Sequence, residues 1–213
     1  MTRVLAFDLA TFAGVAWRDD FGSIITRAID LREMAGIKKS HAAREHSKLF
    51  AALYRLIGDL MVDMELVGQI DVFSIENDTG RNKATSALLA GYRAIVHLKA
   101  AHLGICVVDD LDASQARKLA GVGGGSTPKD IAVANAQRIY LLDGCEDEVD
   151  AGVLLIGTEQ WLKAAPIREA NETQKRRLKA RINRSLAKAG SPIAAGKTVR
   201  PAPAAIPTHG VKS

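Results

Sequence analysis

Cysteine is scarce in this chain of 213 residues. The two present, Cys106 and Cys145, stand far apart and match no zinc-ligand spacing. A disulfide framework is thereby excluded, and both thiols are expected to lie buried in a reducing compartment. Long apolar runs are also missing. None approaches the ~20 residues needed to cross a bilayer, so no membrane role is expected. An apolar strand begins within a few residues of Met1, which leaves no room for a secretory signal, and a cytoplasmic location is the expectation. There is no internal repeat. Gly121 and the glycines at 123–125 do not make a phosphate-binding P-loop, because the spacing to Lys129 is wrong and no strand leads into them. What remains is ordinary for a soluble globular protein: 47% hydrophobic and 25% charged residues.

The net charge of +5 conceals an asymmetry. From Arg168 onward there are 11 Lys/Arg against 2 Asp/Glu, a net +9, while residues 1–167 carry 18 against 22, a net −4. A basic tail on a mildly acidic body suits a polyanionic partner, because the tail attracts phosphates at long range. The plain alternative is a solvated tail that only aids solubility. Residues 170–186 have the composition of a basic helix, with Lys175, Arg176 and Arg177 at its centre. Beyond Gly190 the Pro, Ala and Gly content argues for disorder. The chain therefore divides into a domain over 1–165 and a basic, partly disordered tail over 166–213.

Hydrophobic periodicity orders the rest. Val4–Phe7 reads as a buried strand, and Val15–Trp17 and Ser23–Ile29 continue it as an antiparallel meander turning at Asp19-Asp20 and Gly22. Leu49, Leu53, Leu56, Ile57 and Leu60 recur at helical spacing and predict a helix from about His41 to Leu66. A fourth strand over Asp71–Ile75, a helix over Ala84–Leu103 ended by Gly104, and a fifth strand over Ile105–Val108 follow. Ser114 is placed to cap a short helix reaching Leu119. Thr127 is placed to cap another, with Pro128 at its first position, running to about Leu142. A last helix starts near Asp147 and stops before Pro166. This order predicts an α/β fold, a mixed five-stranded sheet flanked by helices on both faces.

Four carboxylates fall at telling places in that scheme. Asp8 ends the first strand and Glu76 follows the fourth. Asp147 and Asp150 lie three apart at the start of the last helix, so both face one side of it, where the dipole favours their ionised form. Taken singly, Asp8 is a turn former, Asp147 an N-cap and Asp150 a first-turn acid. Taken jointly, three distant elements would bring acidic oxygens to one place, provided the first and fourth strands are neighbours. Such a cluster repels itself unless cations sit in it, so it reads as a divalent-metal site. That points to metal-dependent phosphoryl transfer on a nucleic acid.

These residues carry a resemblance. Leu5-Ala6-Phe7-Asp8-Leu9-Ala10-Thr11 with Gly14-Val15-Ala16-Trp17 resembles the first hairpin of RuvC-type Holliday junction resolvases, the phage-like branch above all. Ile75-Glu76, then Ser86-Ala87-Leu88 and Gly91, resembles their second acidic strand and the helix after it. Ala113-Ser114-Gln115 through Lys118, with Gly121-Val122-Gly123 and Lys129, resembles their Lys-bearing segment. Asp147-Glu-Val-Asp150-Ala151 resembles their closing acidic pair. The likeness spans roughly residues 4–163. It implies an RNase H-like fold, a homodimer, and Mg²⁺- or Mn²⁺-dependent hydrolysis of phosphodiester bonds in branched DNA, chiefly at four-way junctions. By motif match it makes Asp8, Glu76, Asp147 and Asp150 the metal ligands, holding two ions. Paired ions about 3.5–4 Å apart serve such reactions by activating water and stabilising the leaving oxygen. Lys118 and Lys129 match the family's basic catalytic residues. Arg81, Asn82, Lys83, Arg117 and the tail cations Lys175, Arg176 and Arg177 are the candidate DNA contacts.

The chain departs from the family's pattern at Thr79, where many relatives carry an aromatic that intrudes at the junction, and in its basic tail. His97 and His102 read as structural or surface residues, and Asp109 and Asp110 as solvated loop acids. Three other readings stay open. One is a structure-tolerant nuclease of RNase H type. Another is an ATP-binding protein of the actin and sugar-kinase kind, which shares the Asp8-Leu9-Ala10-Thr11 opening but needs a second phosphate loop that this chain lacks. The third is a non-catalytic DNA-binding module. A dimer surface would use the apolar face of the His41–Leu66 or the Ala84–Leu103 helix.

Overall fold

Alternation along the first strand sets the architecture. In the computed structural model, which describes residues 2–38, 45–63, 70–77, 83–124 and 126–165, β1 is Val4–Asp8. Its side chains point to opposite faces in turn. Leu5 and Phe7 enter one core with Leu49, Leu53, Ile57, Tyr92 and Val96. Val4 and Ala6 enter another with Leu111, Ala116, Ala151, Leu154 and Leu155. A strand buried on both faces must be central, and it is. The five-stranded sheet runs β3-β2-β1-β4-β5, with β2 at Phe12–Arg18, β3 at Ile24–Asp30, β4 at Val72–Ile75 and β5 at Cys106–Val108. β1 pairs antiparallel with β2 and parallel with β4, so the sheet is mixed as the element order predicts.

Helices cover both faces. On one lie α2 (His46–Asp63) and α3 (Lys83–Leu103), whose apolar stripes close the first core. Those stripes are therefore used within this chain and are not free for a dimer. Val62, Leu98 and Leu103 are the large apolar side chains the two helices leave exposed. On the other face lie α4 (Ala113–Leu119) and α6, residues 146–165. Residues 151–159 of α6 are all buried, because α6 packs on the sheet while Val149, Val153 and Ile156 pack with Ala136 of α5 (Lys129–Tyr140). Two polar ties fix α6. Ser74 and Thr158 share a buried 2.6 Å hydrogen bond, and Glu159 accepts two bonds from the Arg18 guanidinium at 2.7 and 2.9 Å. Burying either hydroxyl unpaired would cost about 1–3 kcal/mol, so the pair also fixes the register of α6 on β4.

Several local expectations are corrected. Asp112, not Ser114, caps α4, in a capping box that Gln115 closes. Thr127 does not cap α5; its hydroxyl bonds to Gly124 and tightens the preceding loop, and Pro128 is the residue before the helix. α5 ends at Tyr140 because Leu141 turns left-handed at φ 54°. A one-turn α1 (Leu31–Met34), capped by Asp30, passes unnoticed in the sequence because it is so short. Both cysteines are exposed rather than buried. Cys106 opens an edge strand of three residues, and Cys145 sits in the turn before α6. The ends of the expected 41–66 helix and the whole basic tail lie outside the described residues. No helix among the described residues is long and apolar enough to cross a membrane.

Candidate active site

The parity that sorts the core also aims the acids. Asp8 shares the face of Val4 and Ala6, the face on which α6 lies. Glu76, one step past β4, continues the series of Val72 and Ser74, of which Ser74 bonds to α6. The parallel ladder pairs Phe7 with Ile75, so Asp8 and Glu76 leave the sheet side by side. The neighbour relation assumed from sequence thus holds. Asp8 is paired across the hairpin with Gly14, and Gly14 abuts the backbone of Asp147: a Cβ built there would overlap the Asp147 carbonyl oxygen. A glycine inside a strand marks such a close backbone approach. It lets the first turn of α6 come to the end of β1.

The electrostatics show the convergence. Burial pushes the Asp8 carboxyl up from 3.8 to about 7, and the charges of Glu76, Asp150 and Asp147 push the same way while Lys129 opposes them. Asp147 is also raised, chiefly by burial, with Glu146 and Asp150 adding to it. Asp150 is matched by cations: Lys129 Nζ lies 2.8 Å from its Oδ2 and Arg117 Nη2 lies 3.5 Å from its Oδ1. Lys129 also pairs with Glu146. Burial works against the Lys129 charge, but the hydrogen bonds to Asp150 and Glu146 outweigh it and raise the ammonium's pKa. Gly157 does for α4 what Gly14 does for β2. A Cβ there would lie 2.8 Å from the Ala116 carbonyl oxygen, and this close approach brings Arg117 beside Asp150.

Among the described residues no three acid, histidine or cysteine side chains are gathered tightly enough to clasp an ion, and Asp150 faces Lys129 and Arg117. The donor chemistry nonetheless fits a hard divalent cation. All four candidates are carboxylates, and Asp8 is held against an excess of negative charge that such a cation would relieve.

The remaining candidates divide. Lys129 and Arg117 reach the acids. Lys118 is exposed, beside Gly124 at the rim, and forms no ion pair among the described residues. Lys83 opens α3, with its side chain outside the described residues. Arg81, Asn82, Thr79, Lys175, Arg176 and Arg177 lie outside them altogether. Asp109 is not a solvated loop acid. It pairs with Arg93 at 2.8 Å and with His97 at 3.2 Å, and although burial pushes its carboxyl up, these two partners outweigh that and lower it. His102 bonds to the Tyr54 hydroxyl at 3.0 Å, a structural role as expected. Sequence reasoning missed Glu146, Arg93 and the contact at Gly14. Only the last left a signal, a glycine within an apolar strand. A small pocket beside the acids is lined by Asp8, Leu9, Glu76, Leu89 and Arg93. A roomier hollow at the opposite end of the sheet, near Thr2, Arg3 and Asp20, has its Arg18 and Glu159 bonded to each other and gathers no comparable set of acids.

No protein-family model and no curated protein matches this chain by sequence. Solved structures do match. Thermus thermophilus RuvC superposes with a TM-score of 0.57 at 11% identity, over 77% of this chain and 97% of that one. T. thermophilus RuvC in complex with a Holliday junction substrate gives 0.58 at 8% identity, over 76% and 96%. The yeast mitochondrial Holliday junction resolvase Ydc2 gives 0.44 at 12% identity, over 75% and 78%. At these identities the two RuvC superpositions establish the fold alone.

Proposed function

We propose that this chain, whose mixed five-stranded sheet flanked by helices is the α/β, RNase H-like fold of RuvC, is a metal-dependent endonuclease that resolves four-way DNA junctions by paired phosphodiester hydrolysis. The observation that carries this reading is the convergence of Glu76, from the end of β4, and of Asp147 and Asp150, from α6, on the buried Asp8 of β1, whose carboxyl is lifted to about 7 chiefly by burial and further by their charges. The T. thermophilus RuvC that superposes on 76% of this chain was solved on a Holliday junction substrate, which supports branched DNA as the ligand.

In this reading Asp8, Glu76, Asp147 and Asp150 hold Mg²⁺ or Mn²⁺. A divalent cation there supplies Lewis acidity, activating water and stabilising charge on the leaving oxygen. The chain's own groups do the rest. Lys129 and Arg117, now matched to Asp150, stand where a phosphate of the cut strand would meet positive charge. Lys118 at the rim meets the flanking backbone. The tail adds non-specific affinity, which is read from the salt dependence of binding. Two symmetric nicks need two active sites about a two-fold axis, so the working form is a homodimer. The products carry a 5′-phosphate and a 3′-hydroxyl, and the enzyme works in the cytoplasm that holds its DNA.

The test is a labelled, immobile four-way junction incubated with the protein in Mg²⁺ or Mn²⁺, beside a linear duplex and a flap. Paired symmetric nicks in the junction alone are expected. Equal cutting of every branched substrate would replace the reading with a structure-tolerant nuclease. No cutting at all, with tight junction binding, would leave a non-catalytic binding module.

A further inference from the structure

Of the two acids at the strand ends, Glu76 has the less help from the sheet, since Asp8 is still paired with Gly14. The β1–β4 ladder pairs end at Ile75, so Glu76 is the first residue beyond it. What fixes the chain on its far side is Asn77. Its backbone N–H donates to the Leu111 carbonyl at 2.7 Å, and its side-chain oxygen accepts from Arg93 Nη1 at 2.9 Å. The other arm of the same guanidinium, Nη2, donates to Asp109 at 2.8 Å, just past β5. Arg93 comes from α3 and lines the small pocket with Asp8 and Glu76. One planar fork thus spans the ends of two strands and braces the segment that presents Glu76.

We propose that Arg93 is a positioning residue that fixes the pose of the Glu76 carboxylate through Asn77, and so sets the affinity of the acidic site for a divalent cation. The inference rests on reading that site as a metal site. Arg93 works through geometry, because Asp109 already matches its charge and His97 shares the same carboxylate oxygen. A guanidinium suits this role because its donors diverge in a fixed plane, and a lysine ammonium cannot reproduce that span.

The experiment uses the full-length chain with Arg93→Gln, Arg93→Lys and Asn77→Ala. Mn²⁺ affinity is measured without DNA, by electron paramagnetic resonance of free Mn²⁺. Junction binding is measured in chelator, and cleavage across a Mn²⁺ series. Loss of a residue that orients a metal ligand costs roughly 10–100-fold in affinity. Arg93→Gln is expected to weaken Mn²⁺ binding within that range, to leave metal-free junction binding unchanged, and to recover cleavage as Mn²⁺ is raised. Arg93→Lys should fall between Arg93→Gln and the natural protein. Asn77 is exposed, so Asn77→Ala tests the same link even where Arg93→Gln destabilises the fold. Unchanged Mn²⁺ affinity in Asn77→Ala would overturn the inference and leave the nuclease reading intact. A natural protein that binds Mn²⁺ but cuts no DNA would defeat the nuclease reading while Arg93 is still tested. One that binds no Mn²⁺ would defeat the metal-site reading and this inference together.

Discussion

Asp8 and Glu76 on one side of the site, and Asp147 and Asp150 on the other, reach the same place by different means. The strand pair is placed by backbone hydrogen bonds: once Phe7 is opposite Ile75, the next residues have no choice but to be neighbours. The helix pair is placed by packing across the sheet face, with bare backbone at Gly14 and Gly157 allowing the close approach and the Ser74–Thr158 and Arg18–Glu159 ties holding it. Charge differs as well. Asp8 has no cation at bonding distance among the described residues and its pKa climbs, whereas Asp150 is paired with Lys129 and Arg117. Electrostatic strain is stored at Asp8, and Asp147 shares its direction, while the cations at Asp150 dissipate it. A site that must accept a cation needs the first, and a site that must hold its shape beforehand needs the second.

Gly14→Ala attacks the contact directly and should have the largest effect. Its methyl would meet the Asp147 carbonyl carbon and oxygen, which are backbone atoms unable to swing aside. Overpacking of this kind costs about 1–3 kcal/mol or more. A chain of this size loses roughly 2–4 °C of melting temperature per ~1 kcal/mol. Melting should therefore fall by several degrees, and cleavage should disappear as Asp147 and Asp150 withdraw from Asp8. A variant that melts and cuts like the natural protein would show that α6 approaches β2 less closely than this contact requires.

The same comparison explains what the sequence makes legible. Apolar runs ending in Asp8 and near Glu76 reveal the strands, and the strands carry the neighbour relation with them. Leu49, Leu53, Leu56, Ile57 and Leu60 reveal α2 for the same reason, since periodicity reports which side is buried. Helix-to-helix contact leaves no such trace. Nothing in the spacing separates Lys129, which meets Asp150, from Lys118, which faces solvent one α4 turn before the glycine loop. Arg117, a candidate DNA contact by sequence, stands against an acid, because α4 lies on α6 at Gly157. Arg93, Asn77 and Asp109 are polar residues on three elements, and only the folded sheet brings them together. Thr127 misleads because a threonine two residues before a helix can serve its own loop as well as the helix.

Asp8→Asn sharpens the contrast in charge. The folded pKa of about 7 exceeds the ordinary 3.8, so the folded state holds its proton more tightly than the unfolded chain. The Asp8 contribution to metal-free stability is then greatest below pH ~4, declines as pH rises to ~7, and stays low above that. Asparagine removes this decline. In chelator the variant should melt above the natural protein at pH 8 and close to it at pH 4. Mg²⁺ at pH 8 should stabilise the natural protein and barely move the variant. Junction cleavage should drop by more than ~100-fold, beyond what loss of a merely supporting residue costs. If both proteins melt alike in chelator at pH 8, Asp8 carries no such strain.

Lys129→Gln makes the smallest and most selective change. Lys129 is the cation that holds Asp8 down and also lowers Asp147, but its side chain is 47% exposed, so solvent screens it and its effect on stability should stay under about 1 kcal/mol. Its removal raises the Asp8 pKa further. By the same sign argument, the metal-free variant should lose somewhat more stability than the natural protein between pH 5 and pH 8, with the decline reaching to higher pH. Melting curves in chelator at several pH values measure this. A steeper decline places Lys129 on the strand half, as the counter-charge to Asp8. An unchanged pH dependence, with cleavage still impaired, places it wholly on the helix half, bound to Asp150 and acting on the substrate alone.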